Sequence, residues 1–377
     1  MRRKQIIAVL LTCMMAAATA LFGCSSNSSE PLAATVGDRE ITVQELENSY
    51  NNSSSYASYY GYSIDTEEGI ESFRDYLLDS LISKEMKIYQ AKLAGITLTD
   101  EEEASAEETA QSNYDETYQT FVDKAEEAGA SSVTAYANSL FTDALIENKT
   151  TVRKLKAQFL EDAEDDLLIS DHKEQLLADV SLTDDELLEK YDEELASQKE
   201  AFDADPSEYF TYESYASYGY SIVPVYVPAG FIRVRQILVD DETTAVMIKQ
   251  LLDEGEDFET LLEEYNTDPG MDSDEYAEGY LVGDGASYVT EFLDAALALE
   301  NDGDISDVVQ SDYGYHIIKR VSTEPAHEIP YEDVKDSFDS YMQTEYQSEY
   351  YSDIVAAWVA DETLVTKYPD NYASVGS

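Results

Sequence analysis

Between residues 67 and 202 the chain holds no proline and only three glycines, Gly69, Gly95 and Gly129. A stretch that long without breakers is restricted to helices joined by short turns, because proline and glycine are the residues that interrupt helical hydrogen bonding. Apolar residues recur there at helical spacing: Ile70, Phe73, Leu77 and Leu81, then Met86 and Tyr89. The spacing predicts one helix over residues 67–94, stopped at Gly95. Thr99 with Glu102 and Thr183 with Glu186 read as capping boxes, in which hydroxyl and carboxylate each satisfy an end amide. Ahead of this region, Ala33 to Val36, the pair Gly37-Asp38 and Arg39 to Ile41 read as strand, turn and strand. Thr42 with Glu45 then opens a helix.

The pattern changes at residue 231. FIRVRQILVD (231–240) is β-rich, while TTAVMIKQLLDEG (243–255) and FETLLEEYN (258–266) are amphipathic helices. VTEFLDAALAL (289–299) is a third helix, and DISDVVQSDYGYHIIKRV (304–321) closes with strand sequence. The order β-α-α-α-β-β describes a compact α+β domain of about ninety residues. From Tyr331 to about Glu362 one more long helix is expected, with an apolar stripe of Phe338, Met342, Tyr346, Tyr350, Ile354 and Trp358. Two tyrosine-rich segments, SYASYYGYSI (55–64) and SYASYGYSI (214–222), nearly repeat each other. They read either as low-complexity loops or as an adaptable contact surface, since tyrosine offers area at low entropy cost.

The charge is −57, from 80 acids against 23 bases, which excludes nucleic-acid binding through a basic face. The start is different: Arg2, Arg3 and Lys4 precede a mostly apolar run from Ile6 to Phe22. A basic, then apolar, then small-residue order describes a secretory signal. Gly23 followed by Cys24 resembles the lipobox of bacterial lipoproteins. That resemblance implies cleavage before Cys24 and a diacylglycerol on its sulfur; an ordinary signal peptide or an uncleaved anchor helix are the alternatives. Cys13 would leave with the signal, so no disulfide is expected. Beyond residue 24 no apolar stretch is long enough to span a bilayer.

Residues 231–322 resemble the parvulin family of peptidyl-prolyl isomerases. The matching pieces are VRQILV (234–239), YNTDPG (265–270), GY (279–280), EF (291–292), DAALAL (294–299), GDIS (303–306) and YGYHIIK (313–319), in family order and spacing. With the lipobox and the flanking helical sequence, the chain resembles PrsA-type extracytoplasmic foldase lipoproteins. The resemblance implies an α+β parvulin-like domain inserted in a mainly helical chaperone module, an N-terminal arm plus a C-terminal helix. Its segments would be a signal peptide (1–23), a lipid-anchored tether (24–31), the arm (32–229), the isomerase domain (230–323) and a C-terminal helix packed on the arm (324–377).

Site residues are implied one by one. Parvulins carry a histidine in the first strand, where this chain has Gln236. Their second histidine matches His316, and a cysteine or aspartate beside the reacting amide matches Asp268. The residue on the proline ring falls at Tyr288, and the pocket phenylalanine matches Phe292. The loop Glu275-Tyr-Ala-Glu-Gly279 departs from the family's Gly-Gly-Asp-Leu-Gly and puts Glu278 where a pocket leucine is expected. Strand alternation groups Gln236 with Val234 and Leu238, and His316 with Ile318. His172 and His327 match no motif and read as surface residues.

No spaced His, Cys and Asp set suggests zinc, no DxDxDG loop suggests calcium, and GDGAS (283–287) lacks the lysine of a phosphate loop. No cofactor is expected. The function implied is a membrane-anchored helper for secreted polypeptides with Xaa-Pro bonds. The alternative is a holdase whose parvulin domain only binds peptide. A solute-binding lipoprotein is a third class, disfavoured because the chain lacks a repeated βαβ pattern.

Overall fold

A computed structural model describes residues 30–147, 150–217 and 223–376. The expected signal, Cys24 and the last part of the second tyrosine-rich segment (218–222) lie outside the described residues. The described residues divide into two compact units, one running to Val180 and resuming at Gln347, the other Ser181–Tyr346.

The first unit opens with β1 (Leu32–Val36), β2 (Arg39–Thr42), α1 (Val43–Ser53) and α2 (Glu67–Leu93). It continues with α3 (Asp100–Glu127), α4 (Val133–Glu147) and α5 (Val152–Leu177). β1 and β2 pair antiparallel around Gly37, which sits at φ 58° with the Tyr89 ring where a Cβ would be. A side chain there would meet both left-handed strain and a steric clash. The Thr42 hydroxyl accepts from the Glu45 amide while the Glu45 carboxylate accepts from the Thr42 amide, and Thr99 with Glu102 repeats this. Leu46, Phe73, Leu78, Ile82 and Met86 are fully buried beneath the small sheet. Lys84 on α2 pairs with Asp162 on α5 at 2.8 Å, and buried Asp165 takes Lys92 at 3.2 Å and Arg39 at 3.3 Å. Phe141, Leu155 and Phe159 form a separate small core among α3, α4 and α5.

The C-terminal residues complete this unit. The strand Val365–Lys367 adds to the free edge of β1, with Val365 opposite Val36. The amide of Tyr368 donates to the Ala33 carbonyl at 2.9 Å, and Arg74 Nη1 donates to the Ala373 carbonyl at 2.8 Å. Tyr372 and Val375 are buried in the same core.

Two expectations change here. His172 is not a surface residue: it is buried, stacked on the Trp358 indole with centroids 5.7 Å apart and planes 3° apart. Burial pushes its pKa down, so it sits there as a neutral ring. His327 is exposed. The first tyrosine-rich segment is half core: Tyr62 packs on Phe73 at 5.5 Å and Tyr60 on Tyr76 at 5.7 Å, while Tyr56 and Tyr59 stay exposed.

The second unit begins with α6 (Asp184–Ala204), capped by Thr183 and Glu186 as expected, and α7 (Ser207–Ser217). Next come β3 (Tyr226–Val227), β4 (Phe231–Val239), α8 (Glu242–Asp253) and α9 (Phe258–Tyr265). After β5 (Tyr280–Val282) and α10 (Thr290–Leu297) follow β6 (Val309–Ser311), β7 (Gly314–Glu324) and β8 (His327–Glu328). α11 (Tyr331–Val359) starts here, and the boundary between units falls within it. Of its stripe, Phe338 is buried whereas Tyr346 and Tyr350 are exposed.

The four-stranded antiparallel sheet has the order β5-β4-β7-β6. α8 and α9 cover one face over Ile237, Val239 and Ile317. α10 covers the other over Ile232, Val234 and Ile318. β5 is an addition to the sequence reading, and three residues are too few to show alternation. β3 pairs with β8, Val227 opposite His327, so the chain enters and leaves the sheet domain side by side. Gln198 fixes that entry, donating to the Val223 carbonyl at 3.0 Å and accepting from the Val225 amide at 2.8 Å.

A chain ending at Asp361 should lose the third strand and the burial of Tyr372 and Val375. That burial is worth about 3–6 kcal/mol, so the main thermal transition should fall by roughly 6–20 °C. An unchanged melt by circular dichroism would show that these residues do not hold the first unit.

Candidate functional site

The pairing of β4 with β7 sets Gln236 opposite Ile318 and Leu238 opposite His316. Opposed residues share a face, so Gln236 and His316, eighty positions apart, both point toward α10. Gln236 is 6% and His316 3% exposed. Gln236 Oε1 lies 2.6 Å from His316 Nδ1, and Gln236 Nε2 lies 2.6 Å from Asp268 Oδ2.

Asp268 arrives on a loop tied to β4. The Asn266 side chain accepts from the Leu238 amide at 3.0 Å, and the Thr267 amide donates to the Leu238 carbonyl at 2.9 Å. Asp268 then caps the short 3-10 turn Pro269–Asp272, accepting from the Gly270 amide at 2.9 Å. Its other oxygen accepts the Tyr280 hydroxyl at 2.8 Å. A Cβ at Gly270 would lie 1.9 Å from that hydroxyl, so this position admits glycine alone if Tyr280 is to reach Asp268. Burial and the bond to Asp268 push the Tyr280 pKa well up, which keeps it a donor.

The hydrogen-bond directions follow from chemistry. A carboxylate only accepts, so the Gln236 NH2 must face Asp268 and its carbonyl must face His316. His316 therefore donates from Nδ1. Burial pushes its pKa down, against the carboxylates of Asp268 and Glu291, so the ring is neutral and Nε2 is an acceptor. Ser311 Oγ stands 2.6 Å from Nε2 and donates to it, while accepting the Tyr313 amide at 3.0 Å. Ser311, His316 and Gln236 thus form one satisfied chain whose donors all point toward Asp268, and Tyr280 donates to the same carboxylate from the other side.

An aromatic wall stands beside this chain. Phe292 meets His316 edge-on at 5.7 Å, Tyr288 packs on Phe292 at 5.3 Å, and Tyr280 on Tyr288 at 5.6 Å. Burial pushes the Tyr288 hydroxyl pKa up. The structure therefore brings together Gln236, Asp268, His316, Phe292 and Tyr288. Glu278 stands apart, exposed on the turn before β5, rather than in the place of a buried leucine. A carboxylate at that turn keeps its hydration, which burial in the wall would remove.

Sequence reasoning did not single out Tyr280 or Ser311. The signal for Ser311 lay in the two-residue hairpin turn Asp312-Tyr313, which sets Ser311 opposite Gly314 and Val309 opposite His316. Residues 309, 311 and 316 then share a face.

Gln236→Glu replaces a donor by a second carboxylate against Asp268. It should lower stability at pH 7 by about 2–4 kcal/mol, whereas Gln236→His, which can donate on one nitrogen and accept on the other, should cost under about 1 kcal/mol. Equal urea midpoints for the two variants would show that the chain has no fixed polarity.

Residues 225–336 match the PPIC-type PPIase domain family, and residues 1–140 match the SurA-like N-terminal domain family. The foldase protein PrsA of Caldanaerobacter subterraneus subsp. tengcongensis is 28% identical over 311 residues, covering 80% of this chain and 73% of that protein. The foldase protein PrsA of Geobacillus kaustophilus is 50% identical over 88 residues, covering 23% of this chain and 30% of that protein. Among solved structures, that of NmPin, the parvuline of Nitrosopumilus maritimus, is similar at 34% identity, covering 25% of this chain and 99% of that one, with a TM-score of 0.22. The chain thus joins a SurA-like N-terminal domain to a PPIC-type peptidyl-prolyl isomerase domain of the parvulin family, and its relatives are PrsA foldases.

Proposed function

We propose that this chain is a folding helper held on the extracytoplasmic face of a bacterial membrane by a lipid on Cys24. It accelerates cis/trans rotation of Xaa-Pro bonds in unfolded or newly secreted polypeptides. The observation that carries the catalytic part is the satisfied polar chain through Asp268, Gln236 and His316, flanked by the ring wall of Tyr288 and Phe292. The anchor rests on the Leu21-Phe22-Gly23-Cys24 step after a basic and apolar leader. No helix among the described residues is long and apolar enough to cross a membrane.

Rotation about an Xaa-Pro bond breaks amide resonance, with a barrier of about 18–20 kcal/mol. No covalent bond to the enzyme and no cofactor is required. A site that holds the twisted amide better than either planar form lowers the barrier. Phe292 and Tyr288 offer an apolar seat for the proline ring. Asp268, Gln236 and His316 offer fixed dipoles that need no reorganisation during rotation. We assign the isomerase domain to residues 230–323, with the arm and the C-terminal segment as the chaperone part.

The second reading, a domain that binds proline peptides without turning them over, is favoured by one observation: Gln236 stands where parvulins carry a histidine. The amide keeps that histidine's capacity to donate and accept, so we favour activity. The test uses protein extracted from membranes with detergent. Mass spectrometry of its N-terminal peptide should find a diacylglyceryl Cys24; an unmodified cysteine contradicts the anchor. The same protein should speed isomerisation of a short Xaa-Pro peptide. Tyr288→Ala, at a half-buried ring, should lower kcat/KM about tenfold. Saturable binding of the peptide with no rate gain, in wild type and in Gln236→His, would establish the binding-only reading.

A further inference from the structure

The isomerase domain is far more acidic than its chemistry requires. Residues 231–322 hold 23 acids against five bases. Those five, Arg233, Arg235, Lys249, Lys319 and Arg320, each stand within ion-pair distance of a carboxylate. The domain's own cations are therefore committed to neighbouring acids.

Asp268 is held differently. Its oxygens accept from three neutral donors, the Gln236 amide, the Tyr280 hydroxyl and the Gly270 amide. These bonds satisfy its lone pairs without supplying a positive charge. His316, next along the chain, is neutral. Glu291 sits in the first turn of α10, one residue before Phe292, and its carboxylate acts through space on His316. It is exposed, so a bound peptide can reach it. The site thus combines an apolar seat, a half-buried carboxylate with no cationic partner among these contacts, and a second carboxylate at its rim.

We propose that this site selects Xaa-Pro segments carrying lysine or arginine next to the proline, with Asp268 and Glu291 as the residues that set the preference. The inference rests on the isomerase reading and adds the substrate class. A cationic side chain gains a charge partner on docking and is drawn in by the field of the domain; an acidic one meets repulsion and finds no free base. Both effects act between exposed or half-buried groups, so salt screens them over a Debye length of about 10 Å at 0.1 M.

The test compares peptides identical except for Lys, Ala or Glu before the proline, with the full-length protein. kcat/KM should fall in the order Lys, Ala, Glu, spanning roughly tenfold or more at low salt and narrowing toward unity at high salt. Glu291→Lys should shrink or reverse the order. Equal turnover of the three peptides, or an order that neither salt nor Glu291→Lys alters, overturns the proposal. If none is turned over, the isomerase reading fails, and the charge preference is read from fluorescence anisotropy of labelled peptides. Tighter binding of the Lys peptide at low salt then supports the preference, and equal dissociation constants refute it.

Discussion

The contact on which the isomerase domain depends is the antiparallel pairing of Phe231–Val239 with Gly314–Glu324. It is a long-range pairing, and every site residue is placed by reference to it. It sets Gln236 and His316 on one face. It presents Leu238 as the anchor for the loop that delivers Asp268. Its two faces supply the cores under α8 and α9 and under α10. A register slip of one residue would send Gln236 from the α10 face to the face under α8 and α9 and bury an amide among Phe258 and Leu262. The apolar residues flanking Gln236 on its strand, Val234 and Ile237, fix the register against that outcome.

Within that frame, Gln236 decides the chemistry of the polar chain. An imidazole at this position has one donor and one acceptor when neutral, and a primary amide offers the same pair across a similar span. The chain therefore keeps its sense: Tyr280 and Gln236 donate to Asp268, His316 donates to Gln236, and Ser311 donates to His316. What is lost is the charge response of a second ring near neutral pH. Rotation about a proline bond transfers no proton, so the proposed reaction would not call on that response.

Much of this was legible in the sequence, for identifiable reasons. The breaker-free helical run, the three Thr-x-x-Glu caps and the long strands 231–239 and 314–324 carry periodic or capping signals that tertiary packing reinforced. Gln236, Asp268, His316, Tyr288 and Phe292 were implied by the resemblance to parvulins, and they stand together. Glu278 came from loop correspondence, where length differences shift position, and it lies outside the wall. The strand Tyr280–Val282 is too short for alternation to show. His172 was missed because one histidine on an acidic helix gives no sign of the indole it stacks on, 186 positions further along the chain.

The central claim is that Gln236 fixes His316 as a neutral ring protonated on Nδ1. Nitrogen-15 chemical shifts of the histidine ring in the full-length protein test it most directly. His316 should show Nδ1 protonated and Nε2 unprotonated at pH 6.5, where an unperturbed histidine is half charged. In Gln236→Leu that preference should relax. An imidazolium at pH 6.5, or a proton on Nε2 with Nδ1 bare, would contradict the account.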